Sequence, residues 1–309
     1  MTGREKYPLF DRLARNRSNF IVPVDSISFK NENIKIKIKT CVRGADVFVV
    51  QPAYPNLHER IFELLQMIDA LKSASATTVT AVLPYFPYGR SDKKDEARIS
   101  IAAKMMAKLL QAVGTDRVLT VCMHSPQAQG FFDIPVDHLL PGKLVCEYFV
   151  EKGIITPSSM IISPDTGAAK MCSYYARRLN LPLGIIDKKR IDDSDNAISG
   201  SITGDVVGKS CIIIDDEIAT GRSIFKASAN LVKNGATEVY AFAVHGVLVG
   251  DSLKELDESP LKKLYITDTI WRPEIANHPK IEVISIAQML SDAVMCINGD
   301  WSMADIFDR

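Results

Sequence analysis

The sequence has little of several features that would assign a chain to a familiar class of protein. Lys and Arg (37 together) balance Asp and Glu (37 together), so neither sign dominates as it does on nucleic-acid or membrane surfaces, and we expect no partner of either kind. No apolar run is long enough to cross a bilayer. The polar start Met1-Thr-Gly-Arg-Glu-Lys6 has no apolar signal-peptide region. We therefore expect a cytoplasmic protein.

The six cysteines show no Cys-x-x-Cys spacing. Most of them fall inside apolar segments, which favours buried, reduced thiols over a disulfide framework or a zinc site. The sequence contains neither low-complexity segments nor short-period repeats. With 309 residues, 47% of them hydrophobic, the chain is long enough for two domains that each have a core.

Short β-branched runs alternate with amphipathic stretches along most of the chain. This alternation predicts an α/β fold with mainly parallel sheets flanked by helices. The domain boundary is expected near Pro141-Gly142, which gives domains 1–140 and 141–309. Alternating isoleucines and lysines over Ser26–Thr40 predict an antiparallel strand or a hairpin near a sheet edge. The predicted strands are Asp46–Val50, Thr78–Leu83, Val118–Cys122, Met160–Ser163, Leu183–Ile186, Cys211–Ile214, Glu238–Val244 and Lys263–Thr267, and the predicted helices are His58–Lys72, Ile99–Val113, Ala168–Leu179 and Ser223–Asn234.

The segment Cys211–Ile224 is the most informative part of the chain. A predicted buried strand leads into two carboxylates, Asp215 and Asp216, and then into the turn Ala219-Thr-Gly-Arg-Ser223, which opens a helix. Ligands of doubly wound sheets bind outside the carboxyl ends of the strands, and a helix N-terminus offers backbone N–H groups to an anion. The carboxylates are suited to ribose hydroxyls or to a metal ion. The segment therefore predicts a sugar-phosphate site.

Four other predicted strands also end in polar or charged residues, and each of these ends taken alone is as typical of a solvated loop or turn as of a ligand site, or, for Asp165, more typical of a turn. The loop Tyr88–Arg98 contains cations suited to polyphosphate, and such loops often close on their substrate. His124 and Asp165 each follow a strand, and Lys188-Lys189-Arg190 follows a third. Taken together, the five strand ends predict a site for two phosphorylated ligands and a divalent metal.

In these segments, and from about Phe29 to Phe307, the chain resembles the ribose-phosphate pyrophosphokinases. The resemblance implies two phosphoribosyltransferase-like domains, the first binding ATP and the second ribose phosphate, with the last helix free to pack back on the first, and a homo-oligomer (dimer or hexamer). The implied reaction moves the β,γ-diphosphoryl group of ATP, with Mg²⁺, to the C1 hydroxyl of ribose 5-phosphate and releases AMP. The motifs that carry the resemblance are Phe86-Pro-Tyr-Gly-Arg-Ser-Asp-Lys-Lys-Asp95, His124 with Gln129-Gly-Phe-Phe-Asp-Ile-Pro-Val-Asp137, Ser163-Pro-Asp165, and Asp215-Asp216 with Thr220-Gly221.

The resemblance also implies roles for the matching residues. Phe29 and Asn31 would lie beside adenine. His124 and Asp165 would hold Mg²⁺. The catalytic residues would be Lys188, Arg190 and His124; the other ATP-binding residues would be Arg90, Ser91, Asp92, Lys93, Lys94, Arg98 and Gln129; and ribose phosphate would be held by Asp215, Asp216, Ala219, Thr220, Gly221, Arg222 and Ser223.

Three other functions are compatible with parts of this pattern. Arg222 occupies a position where the family usually has Gly, so an extended acceptor such as ADP-ribose is an alternative to ribose 5-phosphate. A catalytically silent regulatory subunit is a second alternative, although it would not need to retain His124, Asp165 and Lys188. A phosphoribosyltransferase would explain Asp215-Asp216 but would leave the loop Tyr88–Arg98 without a role.

Overall fold

The computed structural model describes residues 8–15, 21–187, 201–304 and 306. These residues separate into two units. Unit 1 comprises the described residues up to Pro141 together with Thr269–Trp271 and those from Ser285 onward. Unit 2 comprises the described residues of Gly142–Asp268 and Arg272–Ile284. The assignment of ATP to one domain and of ribose phosphate to the other remains a prediction.

Unit 1 is built on a four-stranded parallel sheet in the order β3-β4-β5-β6. Consecutive residues of a strand point to opposite faces, and the last five residues of β4 are all buried, so helices cover both faces of the sheet. The strands are β3 (Asp46–Val50), β4 (Thr78–Leu83), β5 (Arg117–Val121) and β6 (Val136–Leu139), and the helices are α1 (Pro8–Arg15), α2 (Leu57–Ser73), α3 (Ala102–Ala112) and α9 (Ala287–Asn298), with a 3-10 helix over Pro126–Phe131.

The predicted hairpin is a separate two-stranded antiparallel sheet in unit 1. Its strands are β1 (Val24–Ser28) and β2 (Ile34–Ile38), and Val24 is paired with Ile38. The alternation of isoleucine and lysine in β2 places its isoleucines against the core of the unit and its lysines in solvent. The hairpin prediction is therefore confirmed.

Unit 2 contains a seven-stranded sheet in the order β13-β12-β11-β10-β7-β8-β9. All neighbouring strands are parallel except β9, which is antiparallel to β8. The chain leaves β7 toward one edge of the sheet and later returns to β10 on the other side of β7. The strands are β7 (Ser159–Ser163), β8 (Leu183–Asp187), β9 (Ser201–Thr203), β10 (Ser210–Ile218), β11 (Glu238–Gly246), β12 (Lys263–Thr267) and β13 (Ile281–Ile284), and the helices are α4 (Gly142–Glu151), α5 (Ala169–Leu179), α6 (Arg222–Lys233), α7 (Ser252–Glu258) and α8 (Pro273–Ala276).

Each unit has its own apolar core. Four cysteines (Cys122, Cys146, Cys172 and Cys211) are buried, whereas Cys41 is exposed. Burial raises the pKa of the Cys172 thiol to about 12 and that of the Cys211 thiol to about 11. Among the described residues, none of the helices is long and apolar enough to span a membrane.

Most predicted elements agree with the structure to within one or two residues at each end, and two differ by three or more residues at one end. The helix predicted from Ile99 begins three residues later, at Ala102. The backbone N–H of Ala103 has no acceptor within the helix and donates to Ser91 O at 3.2 Å, which ties the start of the helix to the preceding loop. The strand predicted to end at Ile214 continues to Ile218 because its parallel pairing with β11 continues through and beyond the two carboxylates.

Candidate active site

The carboxyl edge of the sheet in unit 1 brings two predicted site segments together. The loop Tyr88–Arg98 follows β4 and His124 follows β5, and these strands are parallel neighbours. The two segments are in close contact, because a Cβ atom placed on Gly89 would lie 3.7 Å from the Cβ atom of His124. The sequence prediction that both strand ends meet at one edge is therefore realised within this unit.

The loop Tyr88–Arg98 begins and ends at residues with an uncommon backbone conformation. Tyr88 has φ 59° and Arg98 has φ 67°, both in the left-handed region that bulky side chains rarely adopt. Within the loop, the backbone N–H of Ser91 donates to Tyr88 O at 2.9 Å. Asp92 is half-buried, and the remaining predicted ATP-binding residues of the loop (Arg90, Ser91, Lys93, Lys94 and Arg98) are exposed. The loop thus presents several cations to solvent at the ligand edge of the sheet.

The turn that carries His124 is fixed by a buried histidine. The backbone N–H of Met123 donates to Nε2 of His138 in β6 at 2.7 Å. A ring nitrogen that accepts a hydrogen bond carries no proton, so the proton of a neutral His138 is on Nδ1. Cys122, where β5 ends, has φ 44°. His124 itself is exposed, and Gln129 is half-buried with its Nε2 donating to Pro126 O at 2.9 Å.

Phe29 and Asn31 lie at the tip of the hairpin. The backbone N–H of Phe29 donates to Asn33 O at 2.8 Å and closes the tip, while Oδ1 of Asn31 accepts from the N–H of Asn33 at 3.3 Å. The Phe29 side chain is 48% exposed. An open cleft of about 700 Å³ lies here, within the size range of small-molecule sites, and it is lined by Phe29, Asn31, Asn33, Ile34, Lys35, Ile36 and Gln66.

A buried polar cluster stabilises the base of the hairpin. Glu63 of α2 accepts hydrogen bonds from Gln51 at 2.9 Å and from Arg60 at 3.1 Å, and all three side chains are almost fully buried. Burial alone would raise the pKa of Glu63, but hydrogen bonds from Ser26 and Gln51 and the nearby Arg60 hold it below its usual range. Because Ser26 is in β1, Glu63 connects the hairpin to the helix beneath it.

In unit 2, three carboxylates come together at the point where the strand order of the sheet reverses. Asp165 follows β7, and Asp215 and Asp216 lie in β10, the neighbour of β7. From β7 the chain continues to β8 on one side, and from β10 it continues to β11 on the other side. Open α/β sheets bind their ligands at such a switch point. Ser163 Oγ donates to Asp165 O at 2.6 Å, and the N–H of Ala168 donates to Asp165 Oδ1 at 3.0 Å. These bonds fix the position of Asp165.

The electrostatics of this cluster favour a ligand that can neutralise or hydrogen-bond its negative charges. Burial, and then the proximity of Asp216, raise the pKa of Asp215 well above that of an ordinary aspartate, and Asp165 contributes in the same direction. One oxygen of Asp215 accepts the backbone N–H of Asp216 at 2.9 Å. A cation or a pair of hydroxyl donors would stabilise the ionised form.

The turn after β10 has the features of an anion site. Ala219, Thr220 and Gly221 lead into α6, which begins at Arg222 and continues through Ser223, and no side chain caps the N–H groups at its N-terminus. Gly221 has φ 80°, and a Cβ atom there would overlap the ring of Phe225. The backbone N–H of Val249 donates to Ala219 O at 2.9 Å. The turn is therefore held by main-chain contacts and requires glycine at position 221.

Arg222 forms an ion pair on the neighbouring helix. Its Nε lies 3.6 Å from Oε1 of Glu255 in α7, and its side chain is 67% exposed. In this conformation the guanidinium is engaged by a carboxylate outside the turn.

Some predicted site residues cannot be compared with the structure. Lys188 and Arg190 lie outside the described residues. The two predicted metal ligands, His124 and Asp165, belong to different units. Among the residues that the structure describes, His, Cys, Asp and Glu form no group of three with the arrangement of a metal site.

Two residues of functional interest were not predicted from the sequence, namely Glu63 and His138. Each acts through a partner that is distant in the chain, and Glu63 is hidden among the polar positions of an amphipathic helix. His138 adjoins the motif that ends at Asp137, so its place at the strand end beside His124 was the one signal that could have identified it.

Parallel sheets flanked by helices, with carboxylates at a switch point and an uncapped helix N-terminus after a glycine turn, place the protein in the α/β class that binds ligands at the carboxyl ends of its strands. Residues 1–114 match a family model described as the N-terminal domain of ribose phosphate pyrophosphokinase, and residues 199–308 match the phosphoribosyl synthetase-associated domain.

Whole-chain relatives agree with these matches. The chain is 40% identical to the ribose-phosphate pyrophosphokinase of Caldanaerobacter subterraneus over 99% of its length and 96% of the relative. It is 42% identical to that of Clostridium acetobutylicum, over 91% and 88%. The structure of phosphoribosylpyrophosphate synthetase from Mycobacterium smegmatis is similar with a TM-score of 0.91 and 36% identity, over 97% of this chain and 98% of that one. The chain belongs to the ribose-phosphate pyrophosphokinase family.

Proposed function

We propose that this protein transfers the β,γ-diphosphoryl group of ATP to the C1 hydroxyl of ribose 5-phosphate and forms phosphoribosyl diphosphate and AMP. Similarity over 99% of the chain to an enzyme named ribose-phosphate pyrophosphokinase supports this reaction. It also supports transfer to ribose 5-phosphate over both a silent regulatory subunit and transfer to an extended acceptor such as ADP-ribose.

The observation that carries the acceptor assignment is the arrangement at the switch point of unit 2. The uncapped N–H groups of α6 would bind the 5-phosphate, since a helix N-terminus stabilises an anion. Asp215 and Asp216 would accept hydrogen bonds from the ribose hydroxyls. Gly221 would let the phosphate approach the backbone closely.

For ATP, the matching part of unit 1 is the edge formed by the loop Tyr88–Arg98 and His124. Arg90, Lys93 and Lys94 are exposed cations that would contact the phosphates. Phe29 and Asn31 would contact adenine from the cleft at the hairpin tip, which offers an apolar ring and an amide. Because no sheet or helix contains these cations, we expect the loop to close only when nucleotide is bound.

Mg²⁺ fits the oxygen donors at the switch point. Magnesium is commonly held by one or two carboxylates together with substrate phosphates and water, so a cage of protein ligands is not required. Asp165 would supply the carboxylate, beside Asp215, whose pKa is raised by burial and by its acidic neighbours. The role of His124 in unit 1 as a metal ligand remains a prediction from the family resemblance. When bound, the ion would neutralise negative charge on the transferred diphosphoryl group.

Phosphoryl transfer requires little covalent chemistry from the protein, so positioning and charge stabilisation provide most of the rate enhancement. In this proposal His138 orients the turn of His124, and Glu63 orients the hairpin. Lys188 and Arg190 would stabilise the charge that develops in the transition state. A homo-oligomer, dimeric or hexameric, in the cytoplasm is part of the same proposal.

The reaction is tested by incubation with Mg-ATP and ribose 5-phosphate, with AMP measured by chromatography and the product identified by its mass. We expect one AMP for each phosphoribosyl diphosphate. Formation of ADP, or turnover with ADP-ribose alone, would contradict the proposal. The same assay without acceptor controls for ATP hydrolysis.

Lys188 is tested by substitution. If its ammonium group faces the transferred phosphorus, Lys188→Ala should lower kcat by roughly 10²–10³, the effect of losing one preorganised charge donor. The KM for ATP should change much less. A folded variant with the wild-type kcat would exclude the role.

A further inference from the structure

Tyr88, the first residue of the loop Tyr88–Arg98, is held by the side chain of His58 from another element. Oη of Tyr88 lies 2.9 Å from Nδ1 of His58, and the two rings are stacked with centroids 6.2 Å apart and planes 28° apart. Tyr88 has φ 59°, a conformation that an aromatic residue does not adopt by intrinsic preference. The contact with His58 is therefore a restraint on an otherwise disfavoured backbone.

His58 is well placed to act as a fixed anchor. It lies in the first turn of α2, which begins at Leu57. Along the same helix, Leu64, Met67 and Ile68 are almost completely buried in the core of unit 1. The helix cannot shift without disturbing this core, so the position of the His58 backbone is set by packing far from the loop, although the His58 side chain itself is exposed.

The restraint on Tyr88 also affects the residues that follow it. Gly89 packs against the turn of His124, where an added Cβ atom would lie 3.7 Å from Cβ of His124. Ser91 then donates its N–H to Tyr88 O. The direction in which the chain leaves β4 toward Arg90 and Lys93 thus depends on the conformation of Tyr88.

We propose that His58 is a positioning residue which, through its hydrogen bond to Tyr88, fixes the amino-terminal end of the loop Tyr88–Arg98 and so lowers the entropic cost of closing it on ATP. The proposal rests on the proposed ATP-binding role of this loop. His58 does not touch the reacting atoms. It acts by limiting the conformations of the loop before nucleotide arrives.

The first test measures the loop without any substrate. Trypsin has four sites in the loop, after Arg90, Lys93, Lys94 and Arg98, and mass spectrometry follows the fragments. Cleavage of His58→Ala should be about two- to tenfold faster than that of the wild type, the range covered by one neutral hydrogen bond. Tyr88→Phe should show the same increase, and the double variant should show no further increase.

Two variants serve as controls. The Asn side chain places a polar atom two bonds from Cβ, as Nδ1 of histidine is placed, so His58→Asn should restore cleavage to within about twofold of the wild type. Asp69→Ala changes an exposed residue of the same helix and should leave cleavage unchanged. A wild-type cleavage rate in His58→Ala, or equal rates in His58→Ala and His58→Asn, would overturn the proposal.

The second test separates this inference from the proposed function. In steady-state kinetics, His58→Ala should raise the KM for ATP about two- to tenfold, the same range as for cleavage. The KM for ribose 5-phosphate should not change. If cleavage accelerates as expected while the KM for ATP is unaltered, the restraint by His58 stands and the ATP-binding role of the loop is wrong. If cleavage does not accelerate, the restraint itself is refuted, whatever the kinetics.

Discussion

The ligand edges of the two units are built differently although both lie at the carboxyl ends of parallel strands. In unit 2 the strand order reverses between β7 and β10. The turn at Gly221, which follows β10, is held by main-chain hydrogen bonds. In unit 1 the described parallel sheet runs in the order β3-β4-β5-β6 without such a change. The segments at its ligand edge are a loop of exposed cations and the turn of His124.

This difference indicates how each site is organised. A switch point and a helix N-terminus exist before the ligand binds, so the acceptor site in unit 2 has little conformational entropy to lose. Long cationic side chains on a loop must be ordered by the phosphates that they bind. We therefore expect substitutions in unit 2 to act through backbone geometry and substitutions in unit 1 to act through charge and order.

The largest effect is expected at the buried polar cluster that connects the hairpin of unit 1 to α2. Glu63→Gln removes the negative charge that faces the buried guanidinium of Arg60, which should lower the free energy of unfolding by about 3 kcal/mol at pH 7. Urea-induced unfolding followed by fluorescence measures it. A variant as stable as the wild type would show that the hairpin does not depend on this pair.

The same variant has a pH signature. The pKa of Glu63 in the folded protein lies below its ordinary value of 4.5. Its contribution to stability is therefore fully present above pH 4.5 and is lost as pH falls through the folded pKa. Glu63→Gln lacks this contribution, so the difference in stability between the two proteins should shrink in acid.

Gly221→Ala should break the preformed turn of unit 2. The added Cβ atom overlaps the Phe225 ring, and φ 80° is unfavourable for alanine. We expect kcat/KM for ribose 5-phosphate to fall by about 10²-fold, the cost of displacing a bound group by about 1 Å. The KM for ATP is the internal control. An equal loss for both substrates would mean that the variant is misfolded in a wider region.

Lys94→Ala tests the ligand edge of unit 1, where we expect charge to matter more than backbone geometry. Removing one charged hydrogen-bond donor to phosphate should raise the KM for ATP by roughly tenfold. The effect should diminish at high salt because Lys94 is exposed. Lys233→Ala removes an exposed lysine from the last turn of α6 in unit 2 and is the matched control. A salt-independent loss, or an equal loss in the control, would argue against direct contact with ATP.

Arg222→Gly should have the smallest effect. Its ion pair with Glu255 is exposed, and such pairs contribute little. We expect the ratio of kcat/KM for ribose 5-phosphate to that for ADP-ribose to change by less than about twofold. A large shift of this ratio would mean that Arg222 leaves Glu255 to contact the acceptor.

The parallel strands were predictable because burial on both faces produces continuous apolar runs. Asp46–Val50, Thr78–Leu83 and Lys263–Thr267 have the predicted bounds. The same pattern predicted where the residues that follow the strands would lie, since parallel strands bring their carboxyl ends to one edge of the sheet. That is why His124 and the cationic loop could be predicted as neighbours without any knowledge of their contacts.

Features that depend on tertiary pairing could not be predicted. β6 is only four residues long, Val136–Leu139, and half of it is partly exposed, so its pattern is weak. The extension of β10 to Ile218 depends on its pairing with β11. The contacts of Glu63 with Ser26, and of His138 with Met123, join residues whose approach is decided by the fold.

On the ribosome, α9 is the last helix of the described chain to be made, although it belongs to unit 1 and packs against α1, the first one. Leu290 and Ala293 of α9 are completely buried in the finished protein. All of unit 2 is synthesised before these residues emerge, which takes seconds to tens of seconds at the usual rate of elongation. Throughout that interval α1 lacks its partner, and the apolar surface that awaits α9 is open to water and to chaperones.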